Sequence, residues 1–159
     1  LQKLQEQWRE SWDWNLYREP AAQEIGTIKR LRIPLNDTEE EFKAQIVNLA
    51  LVLIDLLNER LISQTVPSDK GEKGITKLER FLDEYGYENT QRDISLLRKV
   101  QAMRSRVAVH ASGSSGKDYL DKELGNKNYR EYFIELLKSG VTMLDDLTIF
   151  AKNNCKNED

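Results

Sequence analysis

The sequence holds one cysteine, one histidine, two methionines and three prolines in 159 residues. The lone Cys155, in a polar tail, excludes a disulfide within the chain and fits a reducing, cytoplasmic setting. One His and one distant Cys exclude the usual zinc sites, which draw three or four ligands from such residues. Scarce proline weighs against turn-rich β folds. Long apolar runs are also missing: Leu49 to Leu57 comes nearest, and Asp55 interrupts it, so no membrane span and no signal peptide is read. The chain opens on Leu1, without an initiator methionine, and reads as an excised domain or a processed chain. No internal repeat is found.

What is present is charge and helical periodicity. Charged residues make up 32% of the chain, with a net charge of -3. The length suits one domain with a substantial core. Leu1, Leu4, Trp8 and Trp12 recur at helical spacing, and Trp14 and Tyr17 follow. Such a cluster forms a base-stacking platform in some proteins, but the commoner role, preferred here, is docking a terminal helix onto a core or a neighbouring domain. Residues 25–35 are read as extended and carry Lys29, Arg30 and Arg32 without an acid, a basic patch or simply a solvated loop.

Thr38 with Glu41 forms a capping box that starts a helix expected to run to Ser63. Its core face carries Phe42, Ile46, Leu49, Leu53 and Leu57, while Leu51, Val52 and Leu56 make a second apolar stripe. A helix apolar on two sides is central or lies at a subunit interface. Residues 67–74 form a turn-rich loop, and a short helix follows over 75–85. A long helix is expected over 90–111, a loop with at most one helical turn over 112–127, and a last helix over 128–153, interrupted at Gly140. Residues 1–37 are thus a helix and a basic segment packing on a helical domain, 38–153, with a frayed tail at 154–159.

The 90–111 helix concentrates the candidate chemistry. From Ile94 to Lys117 there is no acid, while Arg98, Lys99, Arg104, Arg106 and Lys117 are basic and His110 is the one side chain that titrates near neutral pH. At about 100° per residue, Leu96, Leu97, Val100, Met103 and Val107 share the core face, and Arg104 falls within it. A guanidinium there needs a carboxylate, an interface or a polar cleft, and Asp55 is a candidate partner for it or for Arg106. The bland alternative is a structural ion pair beside a helix-end histidine. Other motifs fail: Gly113 to Lys117 is too short for a phosphate loop and follows a helix, and no facing carboxylate set suggests a dimetal centre.

Arg104 followed by Ser105, with five residues from Ser105 to Val109 before His110, resembles the Arg–polar–spacer–His signature of the HEPN superfamily (higher eukaryotes and prokaryotes nucleotide-binding domains). The resemblance spans about residues 38–153, and Ser105 stands where Asn, Asp or His is commoner. It implies an all-α, four- to five-helix bundle of HEPN type. It also implies a metal-independent endoribonuclease of a bacterial defence or toxin system, with no cofactor. Arg104, Ser105 and His110 would then be catalytic. Arg106, Arg98, Lys99, Lys117, Lys29, Arg30 and Arg32 would bind RNA. The expected partners are RNA, a second copy in a homodimer, and an antitoxin or fused sensor domain. Two alternatives stand beside this: a non-catalytic HEPN-like RNA- or nucleotide-binding or dimerisation module of a larger protein, and a helical interaction domain docking through its tryptophans.

Overall fold

The computed structural model describes residues 1–67, 69–109 and 114–155. Its helices are α1 (Gln2–Trp12), α2 (Ala22–Lys29), α3 (Glu39–Ala50), α4 (Glu59–Thr65), α5 (Gly74–Glu84), α6 (Thr90–Met103), α7 (Ser114–Leu124) and α8 (Tyr129–Asn153). Two π-helical turns, Leu51–Asp55 and Arg104–Val109, continue α3 and α6. The described residues contain no β-strand, only an isolated antiparallel bridge between Tyr17 and Leu57. The chain is all-α as its composition indicates, with eight α-helices instead of four or five among the described residues. No described helix is long and apolar enough to cross a membrane.

Three segments account for the difference. Residues 25–29, read as extended, belong to α2, whose start is capped by Glu24 folding back to accept from the Ala21 N–H at 2.7 Å. That acid lies just outside the window that looked acid-free. The helix expected to run from 38 to 63 breaks at Leu56–Asn58. There the Leu16–Arg18 segment takes over the backbone: Arg18 N–H donates to Leu56 O and Asn58 N–H to Leu16 O, both at 2.8 Å. Asn58 then caps α4, its Oδ1 accepting from the Leu61 N–H at 3.4 Å. Residues 114–124, read as loop, form α7, with Leu120 and Leu124 buried one turn apart and Gly125 ending it at φ 57°.

The core is a single cluster under these helices. Phe42, Ile46 and Leu49 of α3, Phe81 and Leu82 of α5, Leu97, Val100 and Met103 of α6, and Phe133 and Leu147 of α8 are all almost fully buried. The first π-turn runs through its middle. Leu51, Val52 and Leu56, the second apolar stripe, are buried within the chain at 8%, 6% and 3% exposure, so this stripe does not form a subunit interface. The turn's register follows from its hydrogen bond, Leu56 N–H to Leu51 O at 3.2 Å. Gly140 does not interrupt α8; a Cβ there would lie 3.2 Å from Leu53 Cδ1, so the bare backbone lets the π-turn approach. Asn128 and Glu131 cap α8 reciprocally, at 2.8 and 3.1 Å.

α1 lies along the C-terminal part of α8, where Ser11 Oγ donates to Ala151 O at 2.6 Å. Trp8 is fully buried, its ring 4.4 Å from Trp12, 5.3 Å from Phe81 and 5.7 Å from Trp14, centroid to centroid. The tryptophans therefore dock the first helix onto the core, and Trp8 offers no face to a nucleobase. Its indole N–H has no acceptor among the described residues, so packing holds the ring. Replacing it (Trp8→Ala) is expected to cost about 3–5 kcal/mol in urea denaturation. A loss below about 1 kcal/mol would mean that α1 is peripheral to the fold.

Candidate functional site

The last turn of α6 is where sequence and structure converge. Arg104 opens the second π-turn, on a face otherwise occupied by Val100 and Met103, which are fully buried. Its Nη1 donates to Asp55 Oδ2 at 2.5 Å, and its Nη2 donates to Gln101 Oε1 at 2.7 Å. Asp55 closes the first π-turn, so one ion pair joins the two π-helical turns found among the described residues. The pair forms because an apolar helix face cannot hold an unpartnered guanidinium, and Asp55 is the one acid in the apolar run that passes beneath. The Arg104 side chain keeps 22% of its exposure and Asp55 37%, which leaves both within reach of a ligand.

Asp55 is itself anchored from behind. Arg18 Nη2 donates to the Asp55 backbone O at 3.1 Å while both Nη groups grip Glu24, each at 2.9 Å. Hydrogen bonds from Arg18, then from the Ala21 N–H, hold the Glu24 carboxyl down to about 2. Arg18 is thus committed to the fold: it clamps the N-terminal segment to the end of the first π-turn.

Arg106 leaves the same turn in another direction. Two residues on an ideal helix separate side chains by about 200°, and Arg106 sits over the ring of Tyr119 on α7, its Cζ 4.8 Å from the centroid. Burial and Glu123 push the Tyr119 phenol up, against the pull of Arg106. Ser105 is half-buried, and no side-chain hydrogen bond joins it to another described residue. His110 lies outside the described residues, as do Ser112 and Gly113 of the small-residue stretch; Ser114 to Gly116 begin α7.

The basic window is less positive than its sequence suggests. Arg98 grips Glu79, Lys99 lies 3.4 Å from Glu123, and Arg104 is paired with Asp55. Arg32 of the second patch holds Glu41 at 2.8 Å. Arg106, Lys117, Lys29 and Arg30 have no carboxylate partner among the described residues; Arg30 donates to Thr27 Oγ1 at 3.1 Å. Among the described residues, no group of three or more His, Cys, Asp or Glu is arranged to hold a metal ion.

Gln101, three residues before Arg104 and hence on its side of the helix, was readable from spacing. Tyr119 and Arg18 were not, because they reach the site only through the tertiary fold. No protein-family model, curated protein or solved structure matches the chain. The Arg18–Glu24 clamp has a direct test. Because its folded value is depressed, Glu24 contributes stability above the ordinary carboxylate range, and that contribution is lost as pH falls through about 2. In a carboxyl-detected NMR titration, Glu24 is expected to titrate near 2 and to return to the ordinary range in Arg18→Gln. An unchanged midpoint in that variant would disprove the clamp.

Proposed function

We propose that this chain is a metal-independent endoribonuclease domain of HEPN type, of the kind used by bacterial defence and toxin systems. The observation that carries the proposal is the setting of Arg104. Asp55 and Gln101 hold its guanidinium from two sides and engage two of its five N–H donors, so three remain for a phosphate. A guanidinium fixed in advance stabilises developing charge without having to reorganise during the reaction. Its place in a π-helical turn adds support, since such turns are frequent at functional sites. So does its match to the arginine of the signature.

The reaction follows from RNA itself. The 2′-oxygen attacks the adjacent phosphorus and gives its proton to a base; the bond to the 5′-oxygen breaks, and that oxygen takes a proton from an acid. The products are a 2′,3′-cyclic phosphate and a 5′-hydroxyl. His110 is assigned the proton transfers, as the only side chain of the chain suited to them near neutral pH. Arg104 neutralises the charge that builds on the phosphorane-like centre, Asp55 and Gln101 position it, and Ser105 supplies a hydroxyl beside it. A chain with one histidine provides both base and acid by pairing with a second copy, so the active form is proposed to be a homodimer. With the Leu51, Val52 and Leu56 stripe buried inside the chain, that proposal rests on the chemistry of the single histidine.

One observation favours the second reading, a non-catalytic RNA- or nucleotide-binding module: three of the window's cations are already neutralised by Glu79, Glu123 and Asp55. Purified protein incubated with end-labelled RNA in EDTA separates the two. Cleavage to cyclic-phosphate ends is expected, with Arg104→Lys slowing single-turnover cleavage about 100-fold or more, because Lys lacks the fork held by Asp55 and Gln101. His110→Ala is expected to abolish cleavage with helical circular dichroism intact. RNA bound but uncut by the wild-type chain, with a dimer shown by light scattering, would establish the binding module instead.

A further inference from the structure

We infer that Arg106 and Tyr119 form a stacking subsite for one unpaired nucleobase, beside the phosphate site at Arg104. The inference rests on the ribonuclease reading above and specifies what part of the RNA the second arginine holds. Arg98, Lys99 and Arg104 are each drawn toward a carboxylate, whereas Arg106 is exposed and has no ion-pair partner among the described residues. Its guanidinium instead lies over an aromatic ring, 4.8 Å from the centroid. That ring is fixed from below: Tyr119 is half-buried on α7, and its neighbour Leu120 is almost fully buried in the core.

A phosphate contact needs a cation and nothing beneath it. A guanidinium seated on a ring has a supported inner side and an outer side open to solvent, and the outer side of a planar cation is a platform for a base. Lys117, exposed on the same helix and without an ion pair among the described residues, is available for the flanking phosphate. Every base has a π-face, so this subsite discriminates little between sequences. It does reject duplexes, whose bases are already stacked. Arg104 and Arg106 diverge from the π-turn, so the stacked base belongs to a nucleotide beside the scissile one.

The test uses the full chain and a short single-stranded 2′-O-methyl RNA, which lacks the attacking hydroxyl and so cannot be cut, with affinity read by fluorescence anisotropy. Tyr119→Leu is expected to weaken binding roughly 5- to 150-fold, and Tyr119→Phe, which keeps the ring, to recover it. An abasic site walked along the RNA should cost the wild-type chain a similar factor at one position and cost Tyr119→Leu almost nothing there. If Tyr119→Leu loses its helical signal, Arg106→Lys serves instead. It keeps the charge and loses the plane, and a similar loss of affinity at an unchanged salt dependence is expected. Binding within about twofold of wild type in these variants, an abasic penalty that persists in Tyr119→Leu, or equal affinity for duplex RNA overturns the stacking subsite alone. A wild-type chain that binds no RNA overturns the ribonuclease reading together with it.

Discussion

Leu51, Val52, Leu53 and Ile54 follow one another without a polar residue, so no side of the first π-turn can be left to water, and all four are buried. The other helices are arranged to meet that requirement. Gly140 removes a side chain so that α8 can close over Leu53, and the Leu16–Arg18 segment covers the end of the turn while pairing its backbone. A segment apolar on all sides has a cost at its ends, where backbone groups must still find partners inside a desolvated environment. The bridge at Tyr17 and Leu57 and the Asn58 cap supply those partners. The position of Asp55 is then fixed: it is the first residue of the run that reaches solvent.

The candidate site is a by-product of the same geometry. α6 crosses the run where its apolar face would otherwise be unbroken, and the charge of Arg104 is tolerated there only because Asp55 emerges opposite it. The ion pair lies at the edge of the core, so the Coulomb attraction acts in a medium less screening than bulk water while a substrate can still approach. The two arginines of the π-turn consequently have different chemistry. One is a fork held by a carboxylate and an amide, the other a guanidinium seated over a ring.

Much of this was legible in the sequence, for reasons that can be named. The Thr38 cap, the 3.6-residue periodicity of α5, α6 and α8, and the docking role of Trp8 are local signals that the fold obeys. Asp55 was recognisable as a candidate partner for Arg104 or Arg106 because it was the sole acid in an apolar run, and folding gives it to Arg104. What failed were two inferences from composition over a short window. Serines and a glycine at 114–116 suggested a loop, yet the i, i+4 spacing of Leu120 and Leu124 outweighs them in α7. The run of basic residues suggested a positive field, yet Glu79 and Glu123 are remote in sequence and become neighbours only after folding. The break at Leu56–Asn58 carries no proline or glycine and is imposed from outside, by a segment 40 residues earlier.

The seat of α1 on α8 has a consequence for how the chain is made. Ser11 and Ala151 are hydrogen-bonded across 140 residues, so α1 finds its seat only after α8 has followed it out of the ribosome. Through that interval the Trp8, Trp12 and Leu4 surface is without its native cover. An incomplete chain therefore presents an adhesive aromatic face at the moment when it is most prone to aggregate. Docking of α8 and concealment of that face are one event, and the nascent chain is a natural client for a chaperone until then.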